Sequence, residues 1–147
     1  MRGQISLDFL FAVTLMALLT LNLVYIGTSQ RTGAEAFDVT TKLKVFSIDV
    51  RDSVTKVYSI GSGFEVKKEI PFELKNGDYV IVRLNNATDS VQIAAQIGGK
   101  EYYVEQKLQV PLYKESVILL QAGSGTSFWI RGIYNETEGR VDVVLSP

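Results

Sequence analysis

The chain has 147 residues, 46% of them hydrophobic, and its fifteen Lys plus Arg nearly balance sixteen Asp plus Glu. That length suits one domain with a core of its own, and the balanced charge gives nucleic acid no bulk electrostatic draw. There is no cysteine and no histidine. This excludes disulfides, thiolate metal sites and a cysteine nucleophile, and it removes the commonest zinc ligand and general base. The composition points to a non-enzyme, with no catalytic residues, no cofactor, no metal and no nucleic-acid partner.

The chain begins MRGQISLDFLFAVTLMALLTLNLVYIG, and no charged residue occurs from Phe9 to Gln30. Those residues as a helix rise about 33 Å, which matches a bilayer core of about 30 Å. A membrane-spanning helix is predicted, with Arg2 and the α-amino group on the cytoplasmic side. Thr14, Thr20 and Asn22 interrupt it mildly. Asp8 sits at its edge, although a carboxylate at a helix centre costs about 2.5–3.5 kcal/mol on insertion scales.

Three readings compete for this segment. An ordinary secretory signal has an apolar core of about 7–15 residues and no acid at its start. The A-x-A-like site here, Ala34-Glu35-Ala36, lies well past Ile26. A plain membrane anchor explains the length but not Asp8. The third reading takes in Arg2-Gly3 followed by Gln4-Ile5-Ser6-Leu7-Asp8-Phe9. This run resembles the class III signal peptide of archaeal type IV pilin-like proteins. In that family a membrane peptidase cuts after the leader glycine, and many mature chains begin Gln-x-Ser-x-Glu-Phe.

The resemblance covers only the N-terminal segment. It implies cleavage between Gly3 and Gln4, so that residues 1–3 are a leader and the apolar helix stays on the mature chain. It implies that Asp8 and Phe9 serve assembly and register. Asp8 stands where the family usually has glutamate, which keeps the charge and shortens the reach. It also implies a helical homopolymer, with a prepilin peptidase, an assembly ATPase and a membrane platform protein as partners.

After that cut Asp8 would lie on the first turn of the helix. There it could complement the helix dipole, for about 0.3–1 kcal/mol, while snorkelling to the headgroups. Alternatively it could pair with the new amino group of a neighbouring subunit. At about 4 Å and an effective dielectric near 20 the gross attraction is roughly 4 kcal/mol, before desolvation. An unpaired carboxylate among packed apolar stems would then reject a wrongly placed subunit.

Residues 28 to 60 contain no proline. Val39, Leu43, Phe46, Val50, Val54 and Val57 recur at helical spacing, with Phe37, Val45 and Ile48 beside them. One helix is predicted from about Ile5 to about Tyr58, with a bend at Gly33. In domain terms residues 4–60 are the helix, 5–27 its apolar half and 61–147 a β head. Gly61-Ser62-Gly63 ends the helix.

In the head, Ile70, Phe72 and Leu74 alternate with Glu69, Pro71 and Glu73, and Asn76-Gly77 reads as a hairpin turn into Tyr79–Val82. Val91, Ile93, Ala95 and Ile97 alternate next. Gly98-Gly99 turns the chain into Tyr102, Val104, Leu108, Val110 and Leu112. Val117–Leu120 reads as a short buried run, and Phe128, Ile130, Val141, Val143 and Leu145 as late strands. The predicted class is α+β: a long N-terminal helix, then an antiparallel sheet or small sandwich resting on the helix stripe.

Gly61-Ser62-Gly63 and Gly123-Ser124-Gly125 lack the lysine and helix of a phosphate loop and read as turns. Asn85-Asn86-Ala87-Thr88-Asp89 lacks calcium-loop spacing and reads as a loop. Tyr102-Tyr103 between Lys100 and Lys107 is interleaved with Glu101 and Glu105, so it reads as a strand surface. Trp129 is expected in the core or at a subunit contact. Asn86-Ala87-Thr88 and Asn135-Glu136-Thr137 are sequons, which makes Asn86 and Asn135 candidate N-glycan acceptors in an exported head.

These readings converge on a structural subunit of an archaeal type IV pilus-like filament, with adhesion as its expected role. It would be a single-pass membrane precursor with its head outside, and an extracellular filament once assembled. The alternatives are a minor pilin or a membrane-anchored cell-surface binding protein. More distant is a secreted enzyme behind a conventional signal peptide.

Overall fold

The computed structural model describes residues 7–30, 37–123 and 125–147 in full, and residues 2–6 and 31–36 by backbone alone. The elements are a helix, α1 (Arg2–Ile60), and the strands β1 (Glu65–Glu69), β2 (Tyr79–Asn85), β3 (Ser90–Ile97), β4 (Lys100–Lys107), β5 (Ser116–Gln121), β6 (Ser127–Asn135) and β7 (Arg140–Ser146). All pairings are antiparallel, so the class is α+β. The chain divides into two compact units between Val39 and Thr40. The first is helical. The second holds the remainder of α1 together with every strand.

In the first unit, each side chain from Leu7 to Gln30 is exposed. Gly3 and Gln4, the expected cleavage site, are described by backbone alone, as are Gly33 and Ala34-Glu35-Ala36. The backbone of α1 passes through Gly33 as one helix.

In the second unit, Leu43, Phe46, Val50, Val54 and Val57 form the buried stripe that the spacing predicts. The stripe is narrower than expected. Val45 is exposed and Ile48 half-buried, while Phe37, in the first unit, is also exposed. Two serines flank the stripe. Ser47 and Ser53 are buried, and their hydroxyls donate to the carbonyls of Lys44 and Asp49, each at 2.7 Å. Such back-bonding lets a hydroxyl enter a core with its donor met. The helix ends at Gly61, whose φ of 98° is the left-handed cap conformation and whose N–H donates to Val57 O at 2.9 Å.

The stripe faces a three-stranded sheet ordered β1-β6-β7. Phe46 meets Phe128 of β6 edge to face, with centroids 6.3 Å apart. Lys68 of β1 reaches Asp49 at 2.7 Å. The segment after the helix is fastened to the middle of β6. Gly63 N–H donates to Gly132 O, and Gly132 N–H donates to Phe64 O, both at 3.0 Å.

A second sheet, ordered β4-β3-β2-β5, buries Val80, Val82, Leu84, Val91, Ile93, Ala95, Ile118 and Leu120. Ser116 of β5 joins the two sheets, accepting from Leu145 N–H at 2.8 Å.

Several strand expectations need correction. The alternating Ile70–Leu74 run is not a strand, because β1 ends at Glu69 and the chain then crosses to the other sheet. Pro71 has no N–H to give a ladder, which suits a crossing. Asn76-Gly77 is consequently a turn inside that crossing rather than a hairpin. It is held by Asp78, whose carboxylate accepts from Lys75 N–H at 3.1 Å and Gly98 N–H at 2.9 Å. Val117–Leu120 is not wholly buried: Val117 and Leu119 are exposed, since β5 lies at the edge of its sheet and shows one face to solvent.

The Gly98-Gly99 hairpin agrees with expectation. Both glycines have positive φ, 58° and 76°, as a two-residue type I′ turn requires. The strand expected to run on through Leu108, Val110 and Leu112 instead ends at Lys107, and Leu108 and Leu112 are buried in the loop that follows. There Asp89 holds the chain by accepting from Leu108 N–H at 2.8 Å and Leu112 N–H at 2.7 Å.

Candidate functional site

The exposed apolar surface of the first unit is the feature that most needs a partner. Leu7–Gln30 is a helical stretch of 24 residues, long and apolar enough to cross a membrane, and none of it is buried. A removed signal sequence would meet the same criterion of length and composition. Phe9, Leu10, Phe11, Leu15, Met16 and Leu23 are among the large side chains exposed along it. Such surface is unfavourable in water, at about 25 cal/mol per Å², and suits an apolar setting.

Local hydrogen bonding makes the polar residues of this stretch compatible with that burial. Thr14 donates to Leu10 O and Thr20 to Met16 O, both at 2.8 Å. Asn22 Nδ2 donates to Leu18 O at 2.9 Å, and Thr28 Oγ1 lies 3.0 Å from Val24 O. An unmet polar group costs several kcal/mol in hydrocarbon, so these bonds remove most of the penalty for the threonines.

Asp8 and its neighbour Phe9 are exposed on the same stretch. In the full chain the helix already begins at Arg2, and its first turn carries no acid. The dipole role for Asp8 therefore belongs only to a chain trimmed after Gly3. The expected role in subunit register needs both a second copy and the amino group that trimming would create at Gln4.

In the head, the two sequons occupy hairpin turns with different surroundings. Asn86 is exposed in the turn between β2 and β3. Asn135 closes the turn between β6 and β7. Its Oδ1 accepts from Thr137 N–H at 3.1 Å and Glu138 N–H at 3.3 Å, and its Nδ2 donates to Asp142 at 3.3 Å. Asp142 is buried and also faces Arg140 Nε at 3.6 Å. The Arg140 guanidinium stacks on Tyr113, 4.2 Å from the ring centroid. Tyr113 in turn hydrogen-bonds Tyr58 of α1, and that bond, followed by burial, holds the Tyr58 pKa above the ordinary tyrosine range. The Asn135 amide is thus one end of a chain of contacts reaching the helix.

Glycan attachment needs the Asn amide nitrogen. Glycopeptide mass spectrometry of exported protein is expected to find Asn86 modified and Asn135 bare. Asn135→Ala is expected to destabilise the head by about 1–3 kcal/mol, because it strips a donor from a buried carboxylate. Asn86→Ala should be neutral in the same denaturant titration.

The outer face of the four-stranded sheet carries the other conspicuous surface. Tyr103 pairs with Ala94, Ala94 with Ile81, and Ile81 with Leu119. This apolar row borders a depression of about 490 Å³ lined by Tyr79, Ala94, Glu101 and Tyr103. Glu105 braces its edge. Its carboxylate accepts from Ser90 Oγ at 2.7 Å and Gln92 Nε2 at 3.1 Å, with Tyr103 OH at 3.3 Å.

The Ser90 and Gln92 bonds lower the Glu105 pKa, while partial burial and the Glu105 charge raise that of Tyr103. A lowered carboxylate pKa stabilises the fold above the ordinary carboxylate range and loses that contribution as pH falls through the folded value. Acid titration of head stability should therefore be flatter in Glu105→Gln than in the parent chain.

Sequence reading expected Trp129 in the core or at a subunit contact. It is half-buried, with Lys67 and Arg131 lying 5.9 and 5.8 Å from its ring centroid, so it is not a core residue. Tyr102-Tyr103 lie on β4 at the sheet edge, the strand surface that their interleaved charges suggest.

Fold and surface together define an α+β protein with an N-terminal apolar helix suited to a membrane and a β-rich unit carrying its own helix segment. No protein-family model matches the chain, and no curated protein or solved structure matches it.

Proposed function

We propose that this chain is a pilin-like filament subunit, held in the membrane as a precursor, trimmed after Gly3 and polymerised through its apolar helix. The observation that carries this reading is the exposed Leu7–Gln30 stretch attached to a compact head. A stem of this kind can leave lipid only for a setting equally apolar. A helical polymer of its own copies supplies one, through heterologous contacts that do not close. The Gly3-Gln4 leader pattern and the acid at Asp8 support it. A prepilin peptidase, an assembly ATPase and a membrane platform would be its partners, and adhesion its role.

The test is terminal mass spectrometry on fibres sheared from the cell surface. The expected product begins at Gln4 and retains the apolar stretch. A chain beginning at Met1, or one starting near Phe37, would reject the reading. The Tyr79–Tyr103 depression favours one second reading, a membrane-anchored surface protein or minor pilin whose head binds a ligand. Scarcity in sheared fibres with abundance in membranes would favour that alternative.

A further inference from the structure

The registers of the four-stranded sheet set its outer side chains in rows. One row holds Tyr103, Ala94, Ile81 and Leu119, and the row beside it holds Glu101, Gln96 and Tyr79. Ala94 is the small member. A methyl group among larger neighbours leaves a hollow, and the depression of about 490 Å³ opens over it. Tyr79 of β2 and Tyr103 of β4 line that depression from strands on either side of β3. Next-nearest strands lie about 10 Å apart, so a body held between the two rings can stand within about 6 Å of both.

The surroundings of the hollow narrow what that body is. The Tyr103 ring is 61% exposed, yet its hydroxyl is tied to Glu105, which Ser90 and Gln92 hold in turn. An exposed ring fixed in this way gives up little freedom when a ligand stacks on it. Glu101 also lines the depression, and among the described residues it forms no ion pair and no hydrogen bond. No Lys or Arg lines it. Arg83 lines the adjoining depression instead and faces Glu115 at 3.3 Å. The face of an aromatic ring is the negative part of its quadrupole, and the free carboxylate adds a full negative charge.

We infer that the Tyr79–Tyr103 depression binds an organic cation of the quaternary ammonium class, seated between the two rings with Glu101 as its counter-charge. The inference rests on the reading of a ligand-binding head and names the ligand class. A compact metal ion does not fit, since one carboxylate supplies too few oxygens. A phosphorylated ligand does not fit either, because Glu101 and Glu105 would repel it. A methylated ammonium spreads its charge over an apolar surface, which is what aromatic walls accept.

Ligand-observed NMR on the full chain in nonionic detergent tests this, with choline as the probe. The N-methyl signal should broaden and move upfield, as stacking on an aromatic ring requires. Choline should bind about tenfold more tightly than its neutral isostere, in which carbon replaces the nitrogen. Glu101→Gln and Tyr103→Leu should each weaken binding about tenfold, and Tyr103→Phe should retain it. Ala94→Leu should fill the hollow and abolish binding. An unchanged Tm identifies the variants that remain folded. Phosphocholine should bind less well than choline, and equal binding would assign the site to a lipid headgroup rather than a free cation.

A neutral isostere that binds as tightly as choline overturns the inference, as does binding indifferent to Glu101→Gln. If that binding still depends on Tyr103, the ligand-binding head survives while the cation does not. Absence of any choline binding also overturns the inference. The abundance of the chain in sheared fibres decides the parent reading separately.

Discussion

Asp8→Ala is expected to be trimmed normally and to yield few or no filaments. The substitution removes the carboxylate and leaves Gly3 and Gln4, where the peptidase would read, unchanged. The stem also becomes easier to hold in lipid, since an acid near the apolar run is lost. A purely anchoring role would therefore improve, or at least persist. The loss falls on assembly. Under the proposed assembly the carboxylate would attract a neighbour's new amino group with a gross energy of about 4 kcal/mol at contact distance, reduced by desolvation. A misplaced neighbour leaves that charge unpaired among apolar stems, at several kcal/mol. A net difference of about 3 kcal/mol per interface is more than a hundredfold in each subunit addition. Comparing sheared fibre mass with membrane-bound trimmed protein measures it. Normal fibre yield from Asp8→Ala would eliminate the pairing role. Asp8→Glu restores the charge at longer reach and should recover fibres.

Gly132→Ala should be the most damaging single-methyl change in the head. Gly132 lies in the middle of β6 at an ordinary strand φ, so backbone conformation does not require glycine. Space does. A Cβ there would lie 2.6 Å from Gly61 O and 3.3 Å from a Val57 methyl carbon. The first obstacle is backbone, at the cap of α1, and it cannot rotate aside as a side chain would.

Accommodating the methyl pushes the helix end from the sheet. It strains the two 3.0 Å bonds that tie residues 63 and 64 to Gly132. Overpacking costs about 1–3 kcal/mol, and a backbone obstacle places this case at the upper end. Thermal unfolding of residues 28–147 should show a Tm lower by about 10 °C. That fragment lacks the apolar stretch and is expected to stay soluble. Gly27→Ala, where nothing lies within 4 Å of the added carbon, meets no obstacle within its own chain. An unchanged Tm in Gly132→Ala would mean that the helix end is not packed on β6 as described.

Much of this architecture is legible from local periodicity. The uncharged run from Phe9 to Gln30, the stripe Leu43–Phe46–Val50–Val54–Val57 and the Gly98-Gly99 turn are short-range patterns, and short-range forces produce them. Strand partnership is of another kind. Glu65 pairs with Arg131, far along the chain, and no periodicity within β1 announces it. Ile70–Leu74 alternates as well as many strands do. It becomes a crossing because the strands on either side of it belong to different sheets.

The candidate sites divide in the same way. Asn86 and Asn135 carry equivalent sequons, but only the fold turns the Asn135 amide towards the buried Asp142 carboxylate. Gly132 is one glycine among twelve until α1 arrives against it.

The sequence by itself determined the apolar stem, its single acid and the helical stripe, because each depends on neighbours a few residues away. Tertiary structure alone decided the pairing of strands, the close approach at Gly132 and the separation of one sequon from the other. Those depend on which distant segments meet, and that is settled by competition for one shared core rather than by any local preference.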